Sequence, residues 1–307
     1  MRSGAGNLLR SLGVDFARRT SPAGGGGEHS RDSGSGPGNP GPGVPGAGVE
    51  AKPPPPADPG VSESAGPPSA RDDAGEPLPR DLEPHVVQTI RSVEHATMTS
   101  GERLAALVQS VEWIERRGLP GAVVECGVWR GGSMMAAAWT LLHGRNDGRD
   151  LYLYDTFAGM TEPQDVDLHY DGSSAEQAMQ AHDPSARSMQ EWCYAGLDEV
   201  RGNLESTGYP SERIHYVAGP VEETIPGTLP GPIALLRLDT DFYSSTRQEL
   251  QHLYPLVVPG GVVIIDDYGA WQGARRAVDE FLTDKPEIFL HRIDVTGRIF
   301  IKPRLAG

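Results

Sequence analysis

From residue 122 to residue 284 the chain alternates short apolar runs with longer segments of helical period, and this alternation limits its fold more than any other feature. The runs AVVECGV, LYLYD, IHYVAG, IALLRLD and GGVVIIDDY read as strands. Between them GGSMMAAAWTLLHG, LDEVRGNLESTGYP and STRQELQHLYPLV read as helices, and GARRAVDEFLTD follows as another. Strand and helix in strict turn predict a doubly wound α/β sheet, mostly parallel, of Rossmann-like type. The closing segment IFLHRIDVTGRIFIKP reads as two strands around Thr296 and Gly297, an antiparallel edge. Ahead of the alternation, Leu104, Leu107, Val108, Val111 and Ile114 recur at helical spacing behind Thr99 and Glu102, which stand in capping-box spacing. Arg116, Arg117, Gly118 and Pro120 stop that helix.

Composition divides the chain. Residues 1–80 carry 17 of the 39 Gly and 14 of the 27 Pro in about a quarter of the chain, hold almost nothing apolar to bury and read as a disordered leader. Residues 81–307 are then one folded domain with N-terminal helices. A formal net charge of −15 repels a phosphate backbone, so nucleic acid is not an expected partner. No run of eighteen apolar residues occurs, which excludes a spanning helix, and two cysteines without paired spacing suggest a reducing, cytoplasmic setting.

In doubly wound sheets ligands bind beyond the carboxyl ends of the strands. The first strand there runs from Glu125 into Gly127, Gly131 and Gly132, a turn that lets a ligand approach the backbone but does not match the dinucleotide fingerprint. That mismatch disfavours a nicotinamide-dependent oxidoreductase. The second strand ends in Asp155, the usual position of a ribose partner in this architecture or else a loop cap. At the third, Gly219 is a turn or a place where a flat ring comes close. The fourth carries Asp239 and Asp241, which share a face if the strand stays extended, and the fifth ends in Asp266 and Asp267. If the two strands are neighbours in the sheet, four carboxylates crowd one rim and repel. Either they are solvated or something positive sits between them; an all-oxygen cluster suits Mg²⁺ or Ca²⁺, and the lack of nearby His or Cys argues against zinc.

Taken in order, TMTSGERL, GAVVECGVWRGGS, LYDTFAGM, LDEVRGNL, VAGPVEETIP, LLRLDTDFYSST, LYPLVVPGGVVIIDDYG and RIDVTG resemble the macrocin O-methyltransferase family over roughly residues 90–303. The resemblance implies a class I methyltransferase that depends on S-adenosylmethionine and Mg²⁺ and acts on a small-molecule hydroxyl, a glycoside or a phenol-like group. It implies that Thr99, Glu125, Gly127, Gly131, Asp155, Thr156, Gly219, Pro220 and Val221 face the cofactor. Asp239, Asp266 and Asp267 are implied as metal ligands, and Asp239 or Asp241 as the base. A lid is implied around residues 163–195, and a homodimer is compatible with the helix that follows Thr99. Thr240, where the family often has Gly, implies a different acceptor pocket. A catalytically silent S-adenosylmethionine-binding scaffold of the same fold is the alternative function.

Overall fold

The computed structural model describes residues 78–304. The chain divides into units 1–67 and 68–307, and every described residue belongs to the second. The expected disordered leader therefore lies outside the described residues except for its last three positions.

Two helices, α1 (Pro84–Val93) and α2 (Gly101–Arg116), precede the alternation. Then come β1 (Ala122–Cys126), α3 (Gly132–His143), β2 (Leu151–Asp155), α4 (Ala175–His182), α5 (Leu197–Ser206) and β3 (Ile214–Ala218). The short α6 (Val221–Thr224), β4 (Ile233–Leu238), α7 (Tyr243–His252), β5 (Val257–Ile265) and α8 (Gln272–Leu282) follow, and the pair β6 (His291–Arg292) and β7 (Arg298–Ile301) closes the chain. Seven strands form one sheet in the order β3-β2-β1-β4-β5-β7-β6. The first five in sequence pair in parallel, and β7 runs antiparallel to β5 and β6, as the sequence predicts.

Both faces of the sheet are covered, which is why β1 and β4 are buried at every position. Neighbouring residues point to opposite sides. Val123, Leu153, Leu235 and Ile264 pack with α1, α2, α3 and α5. On the other face, Val124, Leu236, Val263 and Ile265 pack with Leu250 of α7 and Val278 of α8. A smaller cluster joins the segment expected to be a lid, through Met179, Ala186 and Met189, to Phe242 and Trp271. That segment also bonds to the rim of the sheet: the amide of Tyr170 donates to the carbonyl of Ala270 at 2.8 Å, and that of Gln272 to the carbonyl of Leu168 at 2.8 Å. Among the described residues no helix is long and apolar enough to cross a membrane.

Several boundaries differ from expectation, two of them for a clear local reason. The cap of α2 is Ser100 rather than Thr99: its hydroxyl accepts the amide of Arg103 at 3.2 Å, one residue later than the capping-box spacing predicts. Helix α7 ends at His252 and β5 begins at Val257, because Pro255 has no N–H to continue the helix and a short 3₁₀ turn intervenes.

Candidate functional site

The chain visits β1, β2 and β3 on one side and then crosses to β4 on the other side of β1, so strand order reverses between β1 and β4. Carboxyl ends of strands at such a reversal diverge and leave a crevice. Register brings Glu125 of β1 directly beside Arg237 of β4, with Ile264 of β5 next in line. The ladder continues past the strands, since the amide of Asp239 donates to the carbonyl of Cys126 at 2.9 Å and that of Asp266 to the carbonyl of Leu238 at 2.9 Å. These bonds fix Asp239 and Asp266 side by side.

The positive charge between the acidic pairs is supplied first by the protein. Arg237 is 2% exposed. Its Nη1 donates to Glu125 Oε1 and, at 2.5 Å, to Asp239 Oδ2, while its Nη2 donates to Asp266 Oδ1 at 2.5 Å. Arg103 of α2 donates to Asp266 Oδ2 and pairs with Asp294 at 2.9 Å. The sequence reading missed both arginines. For Arg237 a signal was present: a guanidinium inside the apolar run of a strand covered on both faces must have buried acids around it. Arg103 gave no comparable sign, because an arginine in the first turn of an amphipathic helix is ordinarily solvated.

Three carboxyls come together as the cluster reading predicts. Asp239, Asp266 and Asp267 each offer an oxygen, and these oxygens lie within 4.8 Å of one another. Asp241 joins them, but not by the extended strand assumed from spacing. β4 ends at Leu238, and Asp241 takes a left-handed φ of +67°. From this turned position its carboxyl lies beside Asp267 and Trp271. Residues with positive φ other than glycine gather here, with Trp129 and Phe157 after β1 and β2 and Cys193 in the lid segment. Such conformations cost energy and persist where the surroundings enforce them, which makes them markers of functional sites.

Two guanidinium charges face six carboxyl groups, so the cluster is short of positive charge. Burial pushes Glu125 up to about 8, against the pull of Arg237. Burial and the charge of Asp239 push Asp241 up to about 7, and burial followed by repulsion from Asp241 and Asp239 raises Asp267 well above the carboxylate range. Burial acts on Asp266 in the same sense, yet Arg103 and Arg237 hold it below its ordinary value. Buried Asp267 Oδ2 and Glu125 Oε2 have no hydrogen-bond partner among the described residues. Hard oxygen donors short of cationic charge, one of them unpartnered, fit a divalent cation such as Mg²⁺. Glu125 Oε2 likewise fits a cationic group of a bound cofactor.

The sign of the pH effect follows. A buried carboxyl raised to about 8 keeps a proton in the folded chain that the unfolded chain has lost above its ordinary 4.5. Its contribution to stability is full below the unfolded value and is lost as pH rises to the folded one. The metal-free protein is therefore expected to lose stability from pH 5 to pH 8, by roughly a few kcal/mol, read as a falling urea midpoint. A midpoint that rises across that window contradicts the assignment.

The remaining predicted residues line the same rim. Gly127, at φ +78°, stands where an added Cβ would lie 1.9 Å from the carbonyl oxygen of Asp239. Only glycine lets the turn after β1 pass the turn after β4. Gly127→Ala is expected to destabilise the protein by about 2 kcal/mol or more and to weaken binding of S-adenosylhomocysteine, checked by thermal melting and calorimetry. Gly131, at φ +85°, caps α3. Asp155 accepts the amides of Val128 at 2.7 Å and Phe157 at 2.7 Å, so it braces the turns after β1 and β2 with both oxygens. Thr156 donates to the carbonyl of Gly159 at 2.6 Å within the second turn. The amide of Gly219 continues the β2–β3 ladder, bonding to Asp155 at 2.9 Å, and Pro220 and Val221 lead into α6 at the same rim. Thr99, free of the capping role, donates to both oxygens of Asp266 at 3.2 Å and so sits at the acidic cluster. Thr240 turns inward, its hydroxyl donating to buried Glu249 at 2.9 Å.

A doubly wound sheet with this seven-strand order, glycine turns after β1 and acids at its reversal point has the Rossmann-like architecture of class I methyltransferases. The family model of macrocin-O-methyltransferase (TylF) matches residues 88–302, and the chain belongs to that family; it is an S-adenosylmethionine-dependent O-methyltransferase. A relative from Streptomyces olivaceus, 8-demethyl-8-(2,3-dimethoxy-alpha-L-rhamnosyl)-tetracenomycin-C 4'-O-methyltransferase, is 35% identical over 190 residues, 62% of this chain and 68% of its own. Demethyldecarbamoylnovobiocin O-methyltransferase from Streptomyces niveus is 33% identical over 60% of this chain and 67% of its own. The solved structure of the O-methyltransferase NovP superposes with a TM-score of 0.59 at 30% identity, covering 68% of this chain and 83% of that one.

Proposed function

We propose that the protein transfers the methyl group of S-adenosylmethionine to a sugar hydroxyl of a glycosylated natural product, with Mg²⁺ held by Asp239, Asp266 and Asp267. The carrying observation is the convergence of those three carboxyls, within 4.8 Å, at the strand ends beside Glu125. The names of the relatives support the acceptor class, since they include methyltransferases of a rhamnosylated tetracenomycin and of mycinamicin III.

A neutral hydroxyl is a poor nucleophile, and the transfer becomes easier as its proton leaves. The cation would supply electrostatic stabilisation to the oxygen as negative charge develops on it. Asp241 takes the proton: raised to about 7, it is balanced between holding and releasing one near neutral pH. Asp239, tied to Arg237, is less free to do so. As the new C–O bond forms, the C–S bond breaks and the positive sulfonium becomes a neutral thioether. Glu125, Gly127, Gly131 and the turns at Asp155, Thr156 and Gly219 to Val221 hold the cofactor, and Thr99 steadies Asp266. Trp271 and the lid segment exclude water from the rim.

The test is incubation with S-adenosylmethionine and Mg²⁺ across rhamnosylated and other glycosylated acceptors, with mass spectrometry to find the gain of one CH₂. Treatment with EDTA is expected to abolish that gain while circular dichroism remains unchanged. Full turnover in a chelated, metal-free sample removes the metal from the mechanism. Cofactor binding with no methyl transfer to any acceptor favours the silent scaffold.

A further inference from the structure

The turn that carries Asp241 is strained. Beside its φ of +67°, the amide of Phe242 donates to the carbonyl of Thr240 at 2.8 Å. An i to i+2 hydrogen bond around a residue of positive φ marks the rarer, strained hand of γ-turn, and a residue held so costs about 1–3 kcal/mol. Something must hold it. Two restraints act on the backbone: Gly127 admits the carbonyl of Asp239, and the hydroxyl of Ser245 donates to the carbonyl of Thr240 at 3.2 Å. The third is a side-chain pair. Thr240 Oγ1 donates at 2.9 Å to Oε1 of Glu249, a residue of α7 that is wholly buried. Glu249 Oε2 has no hydrogen-bond partner among the described residues. A buried carboxyl so thinly satisfied is costly, and methyl transfer as derived above does not use it.

We infer that Thr240 and Glu249 are positioning residues, a tie between α7 and the strained turn that sets Asp239 and Asp241 against Asp266 and Asp267. The inference rests on the proposed function for its consequence, a formed cation site, though not for the tie itself. Glycine, which the family resemblance places at position 240, has no side chain to make the tie; threonine and a buried acid on α7 supply it here. Burial raises Glu249 above the ordinary carboxylate range, which favours its protonated form, and Gln is its conservative replacement.

The experiment uses the full chain and Mn²⁺ alone as the probe, read by calorimetry. Thr240→Val and Glu249→Leu are expected to weaken Mn²⁺ binding about tenfold or more, the scale seen when a group supporting a metal ligand is removed. Thr240→Ser and Glu249→Gln are expected to restore it. Affinity for S-adenosylhomocysteine should change little in Thr240→Val, a split that general loosening of the fold would not give. A folded Thr240→Val that binds Mn²⁺ as the parent does overturns the inference; should Glu249→Leu fail to fold, the Val and Ser variants at 240 decide alone. If the parent binds no Mn²⁺, the metal reading has failed, and a crystal structure of Thr240→Val then decides the tie. Asp241 leaving the left-handed region supports it, and Asp241 unmoved overturns it.

Discussion

Arg237→Met is expected to lower stability by about 3–5 kcal/mol, the loss found when one partner of a buried ion pair is removed. Arg237 donates to Glu125, Asp239 and Asp266 at once, and the buried pair Glu125 and Asp266 cannot regain water when it is gone. They are left facing each other with Arg103 as their one guanidinium partner. Arg237→Lys should recover only part of the loss, because a single ammonium cannot reproduce a planar fork that spans two strands and the turn after a third. The loss also depends on pH. Near pH 5 the stranded carboxyls can take up protons, whereas at pH 8 they meet as charges, so the difference between parent and variant widens as pH rises. Urea unfolding of both proteins at the two pH values measures this directly. Equal stability of parent and Arg237→Met at pH 8 would mean that the arginine is not what holds the carboxyls together.

Asp241→Asn is expected to reduce methyl transfer by about 10²–10⁴-fold, the usual contribution of a positioned proton acceptor. The amide keeps the shape of the side chain and can still meet Asp267 and Trp271, but it cannot accept the hydroxyl proton. Binding of S-adenosylhomocysteine should remain close to that of the parent, since the substitution keeps the size of the side chain and Asp241 is not among the residues assigned to the cofactor. In the parent the rate should rise with pH until Asp241 is ionised and then level off. The variant should lose that limb, which separates a base from a residue that only shapes the site. A variant with unchanged turnover and an unchanged pH profile would return the role of base to Asp239.

Much of this fold is legible in the sequence because it is written in local signals. Apolar runs of strand length alternate with segments of helical period, and for LYLYD the strand is found as read, Leu151–Asp155. Boundaries were lost where two local signals competed. Thr99 and Ser100 can each cap α2, and which one does so depends on Asp266, distant in sequence, which takes the hydroxyl of Thr99. Asp239 and Asp241 were read as sharing a face because spacing assumes an extended strand. The left-handed turn at Asp241 depends instead on Gly127 beside it and Glu249 behind it.

Sequence alone determined the class of sheet and its antiparallel edge, because periodicity follows from residues close together in the chain; that four acids meet at one rim held only on the condition that β4 and β5 are neighbours, which the sheet order supplies. Only the tertiary structure decided what offsets those acids. Arg237 and Arg103 come from β4 and α2, and their partners Glu125, Asp239, Asp266 and Asp294 come from β1 and from the turns after β4, β5 and β6. Charge compensation is a property of distances in space, and low dielectric makes it decisive once the sheet has buried the groups. No local pattern in the chain encodes those distances.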